Sequence, residues 1–509
     1  MPEVDLPTRL NIDERLLGAR VEEGDGDREA LRLDSRSLSY GEVDDLARRY
    51  GVALRSLGVQ PEQRVLLALP DGPDYVGALF GILRIGAVAV MVNPDLEADA
   101  MRSMIDRSRA PVAVAHVDRI ETMDEALGAS EWATTQLLAV GGEVAGHPAF
   151  SDLDTSGHCD RFETHRDDPA IWLFSGGTTG LPKAVPQTHR SYANTTALYT
   201  AAVGYRPEDV TMAVPKLYFG YATGANLFFP FSVGAVSVLF PEPPTPEALY
   251  DRIERHRPTI LVHVPSAINQ MLADPRAETA DLSSLRFVTS AGEALPETLY
   301  RAWMDRFGVE ILDGLGTAEM WHIFVTNIPG DVRPGTLGRV VPGFEVAVRD
   351  EEGQDLPEGE VGRLWVRGNS RGLGYWQDQD ATAEVFRGEW VVGGDLVSRD
   401  ADGYFTHRGR ADDAVKVKGK WFRPQELESC LLEHPAVGEV AAVPVEDKAG
   451  LLRPVAFVVK TEDVTEDALK EWVLGRLEAY KHPRRVVFVE ALPQTHLGKV
   501  DRGALRRLL

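Results

Sequence analysis

Along the first quarter of the chain, two kinds of hydrophobic run alternate. Residues 65–69 form a short unbroken apolar run, closed by the turn signal Pro70-Asp71-Gly72-Pro73. Val76, Leu79, Phe80 and Leu83 then recur at helical spacing, and Gly86 stands where a helix would stop. A second apolar run, 87–92, ends at Asn93-Pro94, and a helix over 98–108 leads to a third run at 112–115. Unbroken apolar runs suit strands covered on both faces, so this β-α-β-α-β order predicts a parallel sheet with helices on each side. The pattern resumes at 259–264 and 287–290, which read as buried strands, and Leu299, Trp303 and Phe307 line one helical face.

The character changes near residue 410. Residues 350–405 are rich in Gly, Asp and short β-type runs, and the charged stretch Arg408-Gly409-Arg410-Ala411-Asp412-Asp413 follows. Beyond it, apolar segments at 440–443, 455–459 and 486–489 can build a small α+β domain. A chain of 509 residues is too long for one core. The predicted organisation is therefore α/β: a large N-terminal domain of parallel-rich sheets covered by helices over 1–411, then a small domain over 412–509.

Composition narrows the partners. A formal net charge of -24 argues against nucleic acid or an anionic membrane surface, while leaving phosphate ligands open to local donors. Cys159 and Cys430 are the only cysteines and lie far apart, which excludes a disulfide framework and favours a reducing compartment. Residues 1–14 lack the apolar core of a signal peptide, and no apolar run approaches the ~20 residues that cross a bilayer. The expectation is a soluble, cytoplasmic protein.

The strongest local signal is Ser175-Gly176-Gly177-Thr178-Thr179-Gly180-Leu181-Pro182-Lys183, between an apolar run at 171–174 and a helix predicted from Arg190. A loop this rich in Gly, Ser and Thr brings backbone N–H groups and hydroxyls close to phosphate oxygens. Lys183 would add a compact charge. It is not a Walker A loop, because the lysine lies three residues after Gly180. A lone Gly-rich loop can be a plain surface turn; two threonines and a lysine behind a buried strand favour phosphate.

This loop resembles the phosphate loop of the acyl- and aryl-adenylating superfamily, which includes acyl-CoA synthetases, aryl-acid adenylating enzymes and luciferases. Further resembling stretches follow in the superfamily's order: Ser290-Ala291-Gly292-Glu293-Ala294-Leu295-Pro296, then Asp313-Gly314-Leu315-Gly316-Thr317-Ala318-Glu319. Gly393-Gly394-Asp395, Gly409-Arg410-Ala411-Asp412-Asp413 and Leu492-Pro493-Gln494-Thr495-His496-Leu497-Gly498-Lys499 complete the set. Within the superfamily, Glu319-Met320-Trp321-His322-Ile323-Phe324 and the aromatic stretch 216–231 are most similar to benzoate–CoA ligases.

The resemblance implies an acyl-CoA ligase that joins an aromatic or bulky cyclic acid to the α-phosphate of ATP and passes the acyl group to coenzyme A. Two anions must meet, so fixed positive charge and a metal are required. Ser175, Gly176, Gly177, Thr178, Thr179, Gly180 and Lys183 would hold phosphates, and Glu319 with Thr178 would bind Mg²⁺. Ala291, Gly292, Glu293, Asp313, Gly314 and Leu315 would enclose the adenine, and Gly316 and Thr317 would also bind the nucleotide. Asp395 would accept from the ribose hydroxyls, and Arg410 would support ribose and phosphate. Lys499 would stabilise the anion that forms as the acyl-phosphate bond is made.

In such relatives the small domain is mobile. Its rotation about Asp412 would withdraw Lys499 and line a thiol tunnel with residues 415–424, including Lys418 and Gly419. Tyr218, Gly220, Tyr221, Leu315 and His322 would form the acid pocket, with His322 either facing the acid or serving as a core histidine. Gly220, Ala222 and Gly224 suggest unusual room there. A monomer or homodimer is expected.

Three positions depart from the superfamily pattern. Ala184 replaces a glycine; if φ is positive there, its Cβ costs roughly 1–2 kcal/mol. Ala318 replaces a threonine whose hydroxyl faces the α-phosphate, and Gly393 replaces another threonine. The first two bear on adenylation alone. They leave open a divided enzyme that mainly makes thioesters from a supplied acyl-adenylate. The same residues would also serve an enzyme that loads a carrier protein's phosphopantetheine, or a catalytically silent nucleotide-binding protein.

Overall fold

The computed structural model describes residues 4–132, 134–175, 182–413, 415–417, 420–446, 451–493 and 500–509. Among these residues, the first apolar run is the strand Arg64–Ala68, followed by the helix Pro73–Arg84, the strand Val88–Met91, the helix Ala98–Ser108 and the strand Val112–His116. Gly86 takes φ 74° just beyond the first of these helices, which is the left-handed stop that a glycine permits.

These strands belong to a six-stranded sheet ordered Gln136–Val140, Val112–His116, Arg64–Ala68, Val88–Met91, Pro169–Ser175, Lys183–Thr188. All neighbours are parallel except the last pair. A nine-stranded sheet carries the other half, with Phe287–Ser290 parallel to both Ile260–His263 and Ile311–Gly316. The predicted helix is Glu297–Phe307, with Trp303 fully buried. Trp390–Arg399 and Phe405–Arg410 lie in a third, antiparallel sheet.

The small C-terminal domain is separate and α+β. Val437–Glu446 and Leu452–Lys460 pair antiparallel, and Arg485–Phe488 joins parallel. Alternate residues face opposite sides, as strand geometry requires. Ala442, Ala456 and Val458 pack with Leu427 and Leu469 on one face, while Ala441, Val443, Val455 and Phe457 pack with Leu505 on the other. Among the described residues, no helix is long and apolar enough to cross a membrane.

The segment behind the Gly-rich loop differs from expectation. The helix His189–Val203 is there, capped by Thr188, but the strand Lys183–Thr188 precedes it and turns back along Pro169–Ser175. Ser175 and Lys183 sit opposite each other, so one hairpin sets both ends of the loop. Pro186 fits because this is the edge strand. Ala184, a fully buried residue of that strand, is not among the residues with positive φ. Its carbonyl accepts a 2.9 Å hydrogen bond from the Trp376 amide. The expected steric cost of a Cβ here is therefore absent.

Ala184→Gly is expected to lower stability by roughly 0.5–1 kcal/mol, the cost of glycine within a strand, with urea unfolding as the measurement. A gain of the same size would mean that the backbone at this position is strained by alanine.

Candidate active site

The segments that follow Arg64–Ala68 in one sheet and Val210–Ala213 in the other meet, and a short set of hydrogen bonds fastens them. Asp71, just beyond Arg64–Ala68, accepts from the Leu217 amide at 2.9 Å, and the Tyr75 hydroxyl donates to the Leu217 carbonyl at 3.1 Å. Burial pushes the Asp71 carboxyl up to about 6, against the attraction of nearby Lys216. Lys216 donates to the carbonyls of Phe240 (2.7 Å) and Glu242 (2.8 Å), and burial pulls it down to about 8. These contacts hold the start of the stretch that carries Tyr218, Gly220 and Tyr221.

Glu319 sits in a single helical turn, Ala318–Met320, directly after the strand Ile311–Gly316. It is 8% exposed, and its Oε1 accepts a 2.6 Å hydrogen bond from the Tyr375 hydroxyl. Its backbone is held from two sides. Gln187 Nε2 donates to the Ala318 carbonyl at 2.6 Å, and the Gly372 amide donates to the Glu319 carbonyl at 2.8 Å. The Lys183 ammonium lies 4.9 Å from the centre of the Tyr375 ring. Lys183 and Glu319, 136 positions apart in the chain, thus meet on one aromatic side chain.

Trp321 makes the next turn. Its φ of 66° and ψ of -56°, with the His322 amide 2.9 Å from the Met320 carbonyl, form a γ-turn of the rarer, strained hand. Packing holds it there: the indole lies 4.1 Å from the Tyr192 ring and 5.7 Å from Phe229, centre to centre. The turn sends His322 away from Glu319 and into a cluster with Tyr199, Tyr221 and Phe229, with ring centres 5.4, 5.4 and 4.6 Å away.

Within that cluster His322 is a neutral donor–acceptor. Burial pulls it down to about 4, so it is uncharged at neutral pH. Its Nε2 lies 3.0 Å from the Tyr221 carbonyl, which can only accept, so Nε2 carries the proton. Nδ1 is then a buried acceptor with no hydrogen-bond partner among the described residues. The two readings of His322 coincide in part: it is packed as a core residue yet keeps one polar atom unused. The Tyr221 hydroxyl donates to Thr289 Oγ1 at 2.8 Å, while Tyr218 is half-buried beside Phe219.

The expected extra room at Gly220, Ala222 and Gly224 is not there. A Cβ at Gly220 would lie 3.1 Å from both Leu173 methyls, and at Gly224 it would lie 2.5 Å from His322 Cδ2. Ala222 is fully buried. These residues are small because their neighbours approach closely, so they enlarge nothing.

On the nucleotide side, Ala291 is buried, while Gly292 and Glu293 are exposed and Glu293 Oε2 accepts from the Ser266 amide at 3.0 Å. Asp313, Gly314, Leu315 and Gly316 end the strand Ile311–Gly316, with Thr317 next. Burial pushes the Asp313 carboxyl up to about 8, so it keeps its proton at neutral pH. Asp313 Oδ1 and Thr317 Oγ1 are buried without a hydrogen-bond partner among the described residues. Asp395 is also buried; His407 Nε2 lies 3.1 Å from its Oδ1, and Arg410 Nη1 lies 3.3 Å from each oxygen. Gly393, in place of threonine, has its space taken by Leu364, 3.0 Å from where a Cβ would stand. Asp412 is exposed in the turn that follows. Gly176, Gly177, Thr178, Thr179, Gly180, Lys418, Gly419 and Lys499 lie outside the described residues.

Tyr375, His407 and Gln187 escape sequence reasoning. The signal for Tyr375 was Gly372-Leu373-Gly374-Tyr375-Trp376, an aromatic pair behind alternating glycines, which nothing local links to Glu319. The Glu319 donor set fits Mg²⁺, which takes one or two carboxylates and otherwise waters and substrate phosphates. One oxygen is committed to Tyr375, and the other has no hydrogen bond among the described residues. Among those residues, no cluster of three or more His, Cys, Asp or Glu side chains offers a site enclosed by protein.

Comparison with known proteins agrees with this geometry. The family model "AMP-binding enzyme" matches residues 19–376, and "AMP-binding enzyme C-terminal domain" matches 426–499. The chain is 39% identical to a 4-hydroxybenzoate–CoA/benzoate–CoA ligase of Rhodopseudomonas palustris, over 96% of this chain and 92% of that one. It is 38% identical to a benzoate–CoA ligase of Thauera aromatica, over 99% and 97%. The crystal structure of the anthranilate CoA ligase AuaEII with anthranoyl-AMP superposes with a TM-score of 0.92 at 35% identity, covering 99% of this chain and 98% of that one. With the fold, both family models and these near full-length relatives in agreement, this chain belongs to the AMP-binding enzyme family.

Proposed function

We propose that this protein is an AMP-forming aryl-CoA ligase, which activates an aromatic carboxylic acid with ATP and transfers the aroyl group to coenzyme A. The observation that carries the reading is the meeting of Lys183 and Glu319 on Tyr375, with the Asp395–Arg410 pair near enough for Glu319 to act on Arg410. The near full-length similarity to benzoate-activating ligases supports it.

In the first half-reaction, a carboxylate oxygen of the acid attacks the α-phosphorus of ATP. The bond to the bridging oxygen breaks and pyrophosphate leaves. Lys183, with Ser175, Thr178 and Thr179 of the loop, would cradle the phosphates. Glu319 and Thr178 would hold Mg²⁺, whose charge would offset that of the triphosphate. Asp395 would accept from the ribose hydroxyls, with Arg410 alongside, and the orphaned polar atoms of Asp313 and Thr317 would meet the base. Lys499 would stabilise the forming anion. In the second half-reaction, the thiolate of coenzyme A attacks the acyl carbon and AMP leaves. We assign Lys418 and Gly419 to its approach, Asp412 to the hinge, and residues 412–509 to the moving unit.

The acid pocket would be walled by Tyr218, Gly220, Tyr221 and Leu315, with His322 behind them. Such a wall suits a flat aryl ring better than a bulky alicyclic one, because the glycines are spent on close packing. The strand conformation at Ala184 removes one of the two grounds for a weakened adenylation half-reaction. Ala318 alone supports the divided-enzyme reading.

The function is tested by mass spectrometry of the purified protein with ATP, Mg²⁺, coenzyme A and a panel of aromatic and alicyclic acids. Aroyl-CoA with stoichiometric AMP is expected; thioester formed only from supplied aroyl-adenylates would overturn the complete-ligase reading. Lys499→Ala is expected to slow acid-dependent ATP–pyrophosphate exchange by on the order of a hundredfold, the scale of losing one preorganised electrostatic group. Thioester formation from a supplied adenylate should survive, and equal loss of both would refute that division. Gly224→Ala forces a methyl against His322 and should raise KM for the acid about tenfold or more, with KM for ATP unchanged.

A further inference from the structure

Residues 372–376 run as a strap along the edge strand that leaves the phosphate loop. The Leu373 amide donates to the Pro186 carbonyl at 3.0 Å and the Trp376 amide to Ala184 at 2.9 Å, while Gly372 holds the Glu319 backbone. The strap thus covers the sheet edge and carries Tyr375 to a fixed place. The Tyr375 amide donates to Thr382 Oγ1 at 2.9 Å, and its ring meets Phe386 edge-on, with centres 5.4 Å apart at 84°. Tyr375 as a whole is 7% exposed.

From that seat Tyr375 reaches two of the site's charges. Its hydroxyl donates to Glu319 Oε1 at 2.6 Å, and its face lies 4.9 Å from the Lys183 ammonium. Arg410 lies close enough for its charge to act on the same phenol. The Glu319 carboxylate oxygen can only accept, so the phenol is the donor in this bond. A side chain needed only to fill this space could be phenylalanine. The hydroxyl has one hydrogen-bond partner among the described residues, and that partner is Glu319.

We propose that Tyr375 is a positioning residue for adenylation, its hydroxyl aiming the Glu319 carboxylate and its ring face seating the Lys183 ammonium toward the triphosphate. This rests on the reading of Glu319 as the metal-holding carboxylate. A hydrogen-bonded partner of a metal ligand sets its orientation, and losing one typically weakens metal binding ~10–100-fold. Tyr375→Phe removes that bond and keeps the ring; Tyr375→Leu removes both contacts.

The test uses the whole protein with Mn²⁺ and ATP as probes. Mn²⁺ binding in the presence of ATP is read by electron paramagnetic resonance, beside the metal dependence of ATP–pyrophosphate exchange and thioester formation from a supplied aroyl-adenylate. Tyr375→Phe is expected to weaken Mn²⁺ binding, and raise the half-saturating metal in exchange, about tenfold, with melting temperature and thioester formation unchanged. Tyr375→Leu should in addition raise the Kd for ATP measured without metal. Glu319→Gln is the control. Weakened Mn²⁺ binding in Glu319→Gln but not in Tyr375→Phe overturns the proposal alone. Wild-type Mn²⁺ binding in Glu319→Gln overturns the reading of Glu319, and the proposal with it. Equal loss of both half-reactions in Tyr375→Phe, with a lowered melting temperature, would show a merely structural tyrosine.

Discussion

The site depends on the meeting of the connections that leave two parallel-rich sheets. A parallel sheet needs helical crossovers on both faces, so the connections at its carboxyl ends are what remain free to meet a ligand. Here the connections are tied to each other by single, well-defined bonds, Asp71 to Leu217 and Tyr75 to Leu217, while Gln187 of the edge strand holds Ala318. Each involves a buried polar group whose loss would leave an unpaired partner, which costs ~1–3 kcal/mol rather than the smaller net value of an exposed bond. The shifted carboxyl of Asp71 is the mark of that burial.

Strain at one residue divides the labour between neighbours. Glu319 and His322 are three residues apart, yet one meets Tyr375 and the other enters an aromatic cluster. A regular helix would put the two on one face; the γ-turn at Trp321 separates them instead. Such a conformation costs ~1–3 kcal/mol for a bulky residue and lasts only where packing over-determines it. Trp321 has ring contacts with Tyr192, Phe228, Phe229 and His322, and aromatic pairs contribute ~0.5–1.5 kcal/mol each beyond burial. These contacts together are of the size needed to hold the turn, which gives Tyr192, Phe228 and Phe229 a role in shaping the site.

How much of this was legible follows from what is local. The strands at 65–69, 87–92, 112–115 and 287–290 and the helix over 98–108 could be read because burial on both faces writes itself as unbroken apolar runs, and helices as a 3.6-residue period. The return strand Lys183–Thr188 could not. It is polar, contains a proline and draws its stability from the Pro169–Ser175 strand and the strap, which lie outside the window of any local pattern. Gly220 and Gly224 misled for a related reason: a missing side chain reads as space, whereas here Leu173 and His322 occupy it from distant parts of the chain. Glu319, Asp395 and Arg410 stood out only as members of an ordered set, and the contact between Asp395 and Arg410 is geometry that the order alone does not contain.

The charge balance gives the local chemistry a further meaning. The chain carries -24, and every reactant proposed for it (a carboxylate, a triphosphate and coenzyme A) is an anion. The global field therefore opposes binding, and attraction has to come from within about one Debye length, ~8 Å at physiological salt. Arg410 is already engaged with Asp395, and Lys183 lies against a neutral ring and has no carboxylate partner among the described residues. A cation seated on an aromatic face keeps most of its charge available to an incoming phosphate, whereas one bonded to a carboxylate does not. The Tyr375 ring thus orders the Lys183 ammonium without neutralising it. An acidic protein that handles anions needs that combination at the site proposed for its phosphates.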